Sequence, residues 1–289
     1  MTSAARLRRL LADDAPVLAP GAANALTARI VADCGFDAVY VSGAGIANWS
    51  LGVPDLGLTT MADVLGEVAR ICDAVDIPVI ADADTGYGNP LNVRRTVREF
   101  ERAGVAAIQL EDQVDPKRCG HFDGKDVIPD AEMVAKVRAA VDARRDPDLL
   151  IIARTDARAV EGLDRALERG AAYAEAGADA VFVEAPVDTA ELARIGREVP
   201  GLLVANMVEG GHTPIVERAE LGRLGFDLVI YANLGARAAM HAMHDVLTAL
   251  RAQGSSIGLE DRIVTMAERN RLTGMADWQA LARAYEVDR

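Results

Sequence analysis

The chain has 289 residues, 51% hydrophobic but only 4% aromatic, and a formal charge of −13. This composition supports a large folded core and excludes a disordered chain. The acidic balance argues against nucleic acid or an anionic membrane as partner, but an anionic small molecule stays possible where local cations or a metal reverse the field.

In chain order, a short helix is predicted over 2–14. Short apolar runs follow at 16–20, 38–42, 78–82, 106–111, 149–154, 180–184, 202–206 and 227–231. Stretches of helical period separate them, near 24–34, 60–74, 91–103, 131–144, 161–176, 188–197, 214–223 and 235–252. Strand then helix, repeated over about 240 residues, predicts an α/β fold, the (β/α)8 TIM barrel. A doubly wound sheet would need about six units and a phosphate loop after the first strand. Residues 257–287 predict one or two more helices, broken near Gly274. The barrel with its N-terminal helix is therefore assigned to 1–256, and a helical extension of the same domain to 257–289.

No apolar run approaches the roughly 18 residues of a membrane span. Arg6, Arg8 and Arg9 are not followed by an apolar stretch, so no secretory leader is expected. Cys34, Cys72 and Cys119 are odd in number and far apart, which fits a reducing cytoplasm without a disulfide framework.

In a barrel the C-terminal strand ends face the active site. Here they read Tyr40-Val41-Ser42-Gly43-Ala44-Gly45, Asp82-Ala83-Asp84-Thr85-Gly86-Tyr87-Gly88, Glu111-Asp112-Gln113 and Arg154-Thr155-Asp156, then Glu184, Asn206 and Tyr231. Charges after buried runs need a partner or a metal. Asp82 and Asp84, two apart, are expected to point the same way from an extended strand end. With Glu111 they form an acidic core that would repel itself unless a cation intervened. Oxygen ligands without a His/Cys set favour Mg²⁺, which keeps waters and takes substrate oxygens, over zinc. The competing reading is a helix cap or a pair with Arg154.

After the fourth strand comes a long loop containing Lys117-Arg118-Cys119-Gly120-His121 and Lys125. Loops of this length are usually lids or binding elements. A thiol among these cations would have its thiolate favoured or serve as a proton donor, unlike a buried inert cysteine.

These strings, together with Gly52-Val53-Pro54-Asp55-Leu56-Gly57, resemble the isocitrate lyase / phosphoenolpyruvate mutase superfamily from about residue 6 to about residue 285. The Lys-Arg-Cys-Gly-His string resembles the gating loop of its carbon–carbon bond lyases, in which the cysteine is the catalytic acid. The segment after Asn206, through His212, and the tail around Arg269 resemble the branch of dimethylmalate and other alkylmalate lyases and oxaloacetate hydrolase.

The resemblance implies that Asp82 and Asp84 hold Mg²⁺, with Mn²⁺ as a possible substitute, and that Glu111 acts through water. Ser42, Gly43 and Ala44 would bind a substrate carboxylate, and Asp55 would lie near the metal. Arg154, Glu184 and Asn206 would line the pocket, with Lys117 among the cations of the loop. Cys119, Gly120 and His121 would close over the substrate, and Arg237 and Arg269 match substrate-contacting positions. The implied reaction is retro-aldol cleavage of a 2-hydroxy di- or tricarboxylate, of the 2-methylisocitrate or alkylmalate type, to a 2-oxo acid and a second carboxylate. Tyr40, or Glu111 through water, would be the base and Cys119 the acid. Oxaloacetate hydrolysis or decarboxylation, or a carboxyphosphonoenolpyruvate-type phosphonomutase, are the alternatives on this scaffold. The apolar faces of the tail, from Leu259 to Tyr285, need another surface, either under the same subunit's barrel or on a neighbour. The resemblance favours exchange between subunits, which implies a homotetramer of helix-swapped dimers.

Overall fold

In the computed structural model of the protein, residues 1–120 and 124–286 are described. The chain divides into two compact units, Met1–Leu234 and Gly235–Arg289. This division falls earlier than the expected boundary at 256/257.

The first unit contains eight strands: β1 (Val17–Ala22), β2 (Val39–Val41), β3 (Val79–Asp82), β4 (Ala107–Glu111), β5 (Leu150–Thr155), β6 (Ala180–Val183), β7 (Leu202–Asn206) and β8 (Leu228–Tyr231). All pair in parallel with their sequence neighbours, and β8 closes on β1. This is the TIM barrel predicted from the strand–helix beat. Strand ends differ from the predicted runs by no more than two residues.

Alternation explains why these short apolar runs bury both faces. In β2, Tyr40 points into the barrel interior beside Ile80, Ile152, Phe182 and Ile230. Its neighbours Val39 and Val41 point outward, against a helical layer that includes Val64, Val68, Val97 and Phe100. The helices supplying that layer begin at readable caps. The Asn24 side chain accepts from Thr27 N, Thr60 from Asp63 N, and Asn89 from Leu91 N and Asn92 N just before Pro90. Such caps satisfy amides that the first turn leaves without partners. The helix Pro90–Ala103 ends at Gly104, whose φ of 100° is the left-handed exit that the glycine permits.

The N-terminal helix Ser3–Leu11 buries Ala4, Leu7 and Leu11 with the barrel-interior cluster. Arg6 donates to Asp76 O, and Arg8 to Asp148 O and Asp179 Oδ1, all in loops that lead into strands. The helix therefore closes the end of the barrel opposite the strand C-termini. Burying a leucine such as Leu7 contributes roughly 2 kcal/mol.

Two short elements after β2, the turn Gly43–Ile46 and the π-helical Ala47–Leu51, have no counterpart in the sequence reading, nor does Ala157–Val160. Each is too short to show a period.

The second unit holds the helices Leu234–Gln253, Met266–Leu272 and Met275–Ala284. The last two meet at Gly274 (φ 71°), the break expected from the sequence. None of the three contains a buried residue. Leu247, Met266, Trp278 and Tyr285 are all exposed. Among the described residues no helix is long and apolar enough to cross a membrane.

Candidate active site

A cavity of about 250 Å³ opens at the C-terminal ends of the strands. Tyr40, Ser42 and Ala44 reach it from the end of β2, Asp82 from β3, and Glu111 from β4. Arg154, Glu184 and Asn206 reach it from the ends of β5, β6 and β7. Strand alternation sorts the polar strings. Glu111 faces the cavity, whereas Asp112 accepts from Thr155 Oγ1 (2.7 Å), Tyr173 Oη (2.8 Å) and Asp156 N (2.9 Å) on the outer side. Tyr231, expected at the mouth, packs with the outer cluster instead, and Ile230 lines the cavity.

The acidic pair comes together differently from the expectation. β3 ends at Asp82, and the chain turns through a left-handed Asp84 (φ 47°), whose amide donates to Asp82 Oδ1 at 3.1 Å. Asp84 O in turn accepts from Glu111 N at 2.9 Å, which ties this turn to β4. Asp82, Asp84 and Glu111 are all buried. Burial raises the Asp84 carboxyl to about 6 even though Lys117 pulls it down. Burial likewise raises Glu111, against the pull of Arg154.

Arg154 is the central cation. It donates to Asp156 through Nε (2.8 Å) and Nη2 (3.0 Å), and lies 3.4 Å from Glu111 and 3.6 Å from Glu184. Burial by itself would lower its pKa, but Asp156, Glu111 and Glu184 outweigh burial and hold it well above the ordinary value. Its guanidinium also sits 5.2 Å from the centre of the Phe182 ring, within cation–π range.

Ser42 caps the turn Gly43–Ile46, its Oγ accepting from Gly45 N at 3.2 Å. Gly43 N faces Asp82 Oδ2 at 3.4 Å.

The loop after β4 comes over this cavity. Lys117, Arg118, Cys119 and Gly120 all line it. Lys117 Nζ lies 2.5 Å from Asp55 Oδ1 and 2.9 Å from Asp84 Oδ1. Cys119 N donates to Asp55 O at 3.3 Å, and Arg118 N to Gln113 Oε1 at 3.0 Å. A Cβ on Gly120 would stand 2.3 Å from Arg154 Nη2 and 2.7 Å from Glu184 Cγ. Only a glycine lets the loop backbone come this close to the barrel floor.

Tyr40, Ser42, Ala44, Asp55, Asp82, Glu111, Lys117, Cys119, Gly120, Arg154, Glu184 and Asn206 thus share one cavity. His121 lies outside the described residues. Arg237 and Arg269 belong to the second unit. The sequence reading missed the segment Val208–Gly211, along with Ala232 and Asn233, as cavity wall. Their position directly after β7 and β8 was the available signal.

Residues 7–251 match the family model described as phosphoenolpyruvate phosphomutase. The chain belongs to the phosphoenolpyruvate mutase / isocitrate lyase superfamily. It is 49% identical over 289 residues to a 2,3-dimethylmalate lyase of Eubacterium barkeri, covering 100% of both chains. It is 44% identical over 269 residues to a 2-methylisocitrate lyase of Shewanella oneidensis, covering 93% of this chain and 92% of that one. A solved oxaloacetate acetylhydrolase, bound to 3,3-difluorooxalacetate, superposes with a TM-score of 0.93 at 35% identity, covering 98% and 97% of the two chains. With lyase relatives this similar across nearly the whole length, the protein is a lyase.

The superfamily implies a divalent cation, and the residues fit one. Glu111 Oε1 is buried with no hydrogen-bond partner among the described residues. A Cβ on Gly43 would stand 3.1 Å from Asp84 Oδ1 and 3.3 Å from Asp82 Oδ2, so the glycine leaves the carboxylate pair its space. Among the described residues, no three Asp, Glu, His or Cys side chains converge as a complete ligand set.

Proposed function

We propose that the protein cleaves the C2–C3 bond of an alkyl-substituted malate by a retro-aldol reaction, giving a 2-oxo acid such as pyruvate and a second carboxylate. The observation that carries this reading is the thiol-bearing loop lying over the same cavity as Asp82, Glu111 and Arg154. A phosphonate mutase has no need of a carbon acid at that place. Val208, Ile230 and Ala232 give one side of the cavity an apolar wall suited to the alkyl groups of a dimethylmalate-type substrate. The 49% identity to the Eubacterium barkeri enzyme supports the same choice. 2-Methylisocitrate is the second substrate to test, because of the Shewanella oneidensis relative.

Asp82 and Asp84, with Glu111 through water, would hold Mg²⁺ or Mn²⁺. The bound cation would stabilise negative charge on the substrate hydroxyl and the adjacent carboxylate. Without a cation, burial and then Asp82 raise the pKa of the Tyr40 hydroxyl. Base work falls to Tyr40, ionised beside the bound cation, or to Glu111 acting through water. As the bond breaks, charge gathers on the carboxylate-stabilised carbon, and Arg154 faces it from the barrel floor. Ser42, Gly43 and Ala44 bind the other carboxylate, helped by Asn206 and Glu184. Cys119 delivers a proton to the carbanion; His121, which lies outside the described residues, is proposed by the resemblance to act with it. The family resemblance adds Arg237 and Arg269 as proposed substrate-contacting residues.

Loop closure keeps water from quenching the carbanion on the wrong face. The exposed apolar helix faces of the second unit support a homotetramer in which helices are exchanged between subunits. The three widely spaced cysteines, odd in number, support a reducing cytoplasm as the compartment.

The test is a panel assay, with Mg²⁺ and with EDTA, that reads 2-oxo acid release from 2,3-dimethylmalate and 2-methylisocitrate and the consumption of oxaloacetate. Release from the alkylmalate that EDTA abolishes is the expected result. Turnover of oxaloacetate alone would overturn the reading.

A further inference from the structure

Lys125 lies at the far end of the loop that carries Cys119 and is buried, although lysines are rarely buried without a partner. Its Nζ donates to Asp156 Oδ1 at 2.9 Å and also to the carbonyl of Gly120. Asp156 is the carboxylate that grips Arg154 with two hydrogen bonds. One ammonium therefore joins the loop backbone, at the residue after the thiol, to the carboxylate that orients the central cation of the site.

Charge gives this link a second role. Without Lys125, Arg154 would face Asp156, Glu111 and Glu184 alone. Lys125 shares the charge of Asp156, which leaves more of the Arg154 field for an incoming dianion. Asp156 itself is fixed from behind, its amide donating to Asp112 Oδ1 at 2.9 Å. Burial raises its pKa, but Arg154 and then Lys125 outweigh burial and bring it to about 2.

The geometry points to Lys125 as a positioning residue: it latches the thiol loop onto the barrel through Gly120 O and Asp156, and so couples loop closure to the placement of Arg154. This rests on the lyase reading for the reaction it serves, but the latch itself can be tested without substrate.

In the unmodified protein the amides of Arg118 and Cys119 should exchange hydrogen slowly, since the latch holds them on Gln113 and Asp55. Exchange at the rate of an unprotected chain would overturn the proposal at once. Lys125→Met removes both donations while keeping the length of the side chain; Lys125→Gln keeps a donor without the charge, and is read if the Met variant does not fold. In the folded variant, exchange across 115–120 should quicken by about tenfold. Its kcat for the panel substrate should fall on the order of a hundredfold, with a smaller change in KM. A variant with wild-type kcat and wild-type exchange overturns the proposal. So does a loss of kcat without faster exchange in the loop, which would mark a role in the floor of the site alone. Failure of the lyase reading would show instead as no 2-oxo acid from the unmodified enzyme, and the exchange result would stand by itself.

Discussion

Lys117 Nζ lies 2.9 Å from Asp84 Oδ1, so a cation from the loop sits directly on a carboxylate at the end of β3. The same nitrogen reaches Asp55 at 2.5 Å, and all three side chains are largely withdrawn from water. Removing one partner from a buried pair leaves a charge uncompensated, at a cost of about 3–5 kcal/mol. Lys117→Met should therefore melt earlier than wild type in EDTA, by on the order of 10 °C. Added Mn²⁺ should raise the melting temperature of the variant more than that of wild type, because the ion then supplies the missing positive charge. Equal shifts in thermal melts would refute this.

Cys119→Ser should bind substrate nearly as well as wild type and turn it over about 100- to 10,000-fold more slowly, the usual range for losing a positioned acid. A hydroxyl keeps the shape but is a much weaker acid than a thiol. Steady-state kinetics with the panel substrate decide; most of kcat retained would exclude this thiol as the donor.

Gly120→Ala should fold normally and work poorly. The added methyl would fall 2.3 Å from Arg154 Nη2 and 2.7 Å from Glu184 Cγ, so either the loop lifts or these two side chains leave their places in the site. A displacement of this size costs on the order of a hundredfold in rate. A melting temperature near wild type together with a large loss of kcat is the expected pair of results. An active variant would show that neither the loop height nor the placement of Arg154 and Glu184 is this critical.

Cation binding should depend on pH through Asp84. Its carboxyl, raised to about 6 mainly by burial, must lose its proton to hold a metal. Mn²⁺ affinity should level off above about pH 6 and weaken about tenfold per unit below it. Calorimetric titration between pH 5 and 8 reads this.

Metal-free stability has the sign set by linkage. Where pH lies between the ordinary 3.8 and about 6, the folded chain holds a proton on Asp84 that the unfolded chain has lost, so the contribution of Asp84 falls as pH rises through that window. Asp156 works the other way. Its stabilisation is complete above 3.8 and disappears as pH falls toward about 2. Denaturant titrations of Asp84→Asn and Asp156→Asn in EDTA, compared with wild type across pH 2–7, separate the two slopes.

The proposed oligomer should give way to smaller species when the chain is truncated after Ser256. The truncation removes Met266, Trp278 and Tyr285, large apolar side chains that are more than 60% exposed. Patches of this kind mark association surfaces. Light scattering on both chains is the measurement, and a full-length monomer that is fully active would exclude an exchanged tail.

The barrel was legible because its signals are local. Apolar runs such as 149–154, the cap residues Asn24, Thr60 and Asn89, and the exit glycine Gly104 each act within a few positions of the chain. The strand-end rule then brought Asp82, Glu111, Arg154, Glu184 and Asn206 to one mouth, and the loop string singled out Cys119. What period two could not foresee was the left-handed turn at Asp84, which places that carboxylate by backbone twist rather than by strand alternation. Nor could it pair Lys117 with Asp55 and Asp84, or Lys125 with Asp156. Those contacts join residues 62, 33 and 31 positions apart, a separation that no local propensity spans. The sequence by itself determined which chemical groups reach the barrel mouth. Only barrel closure decided which charge meets which, because burial removes the water that would otherwise let each ion remain alone.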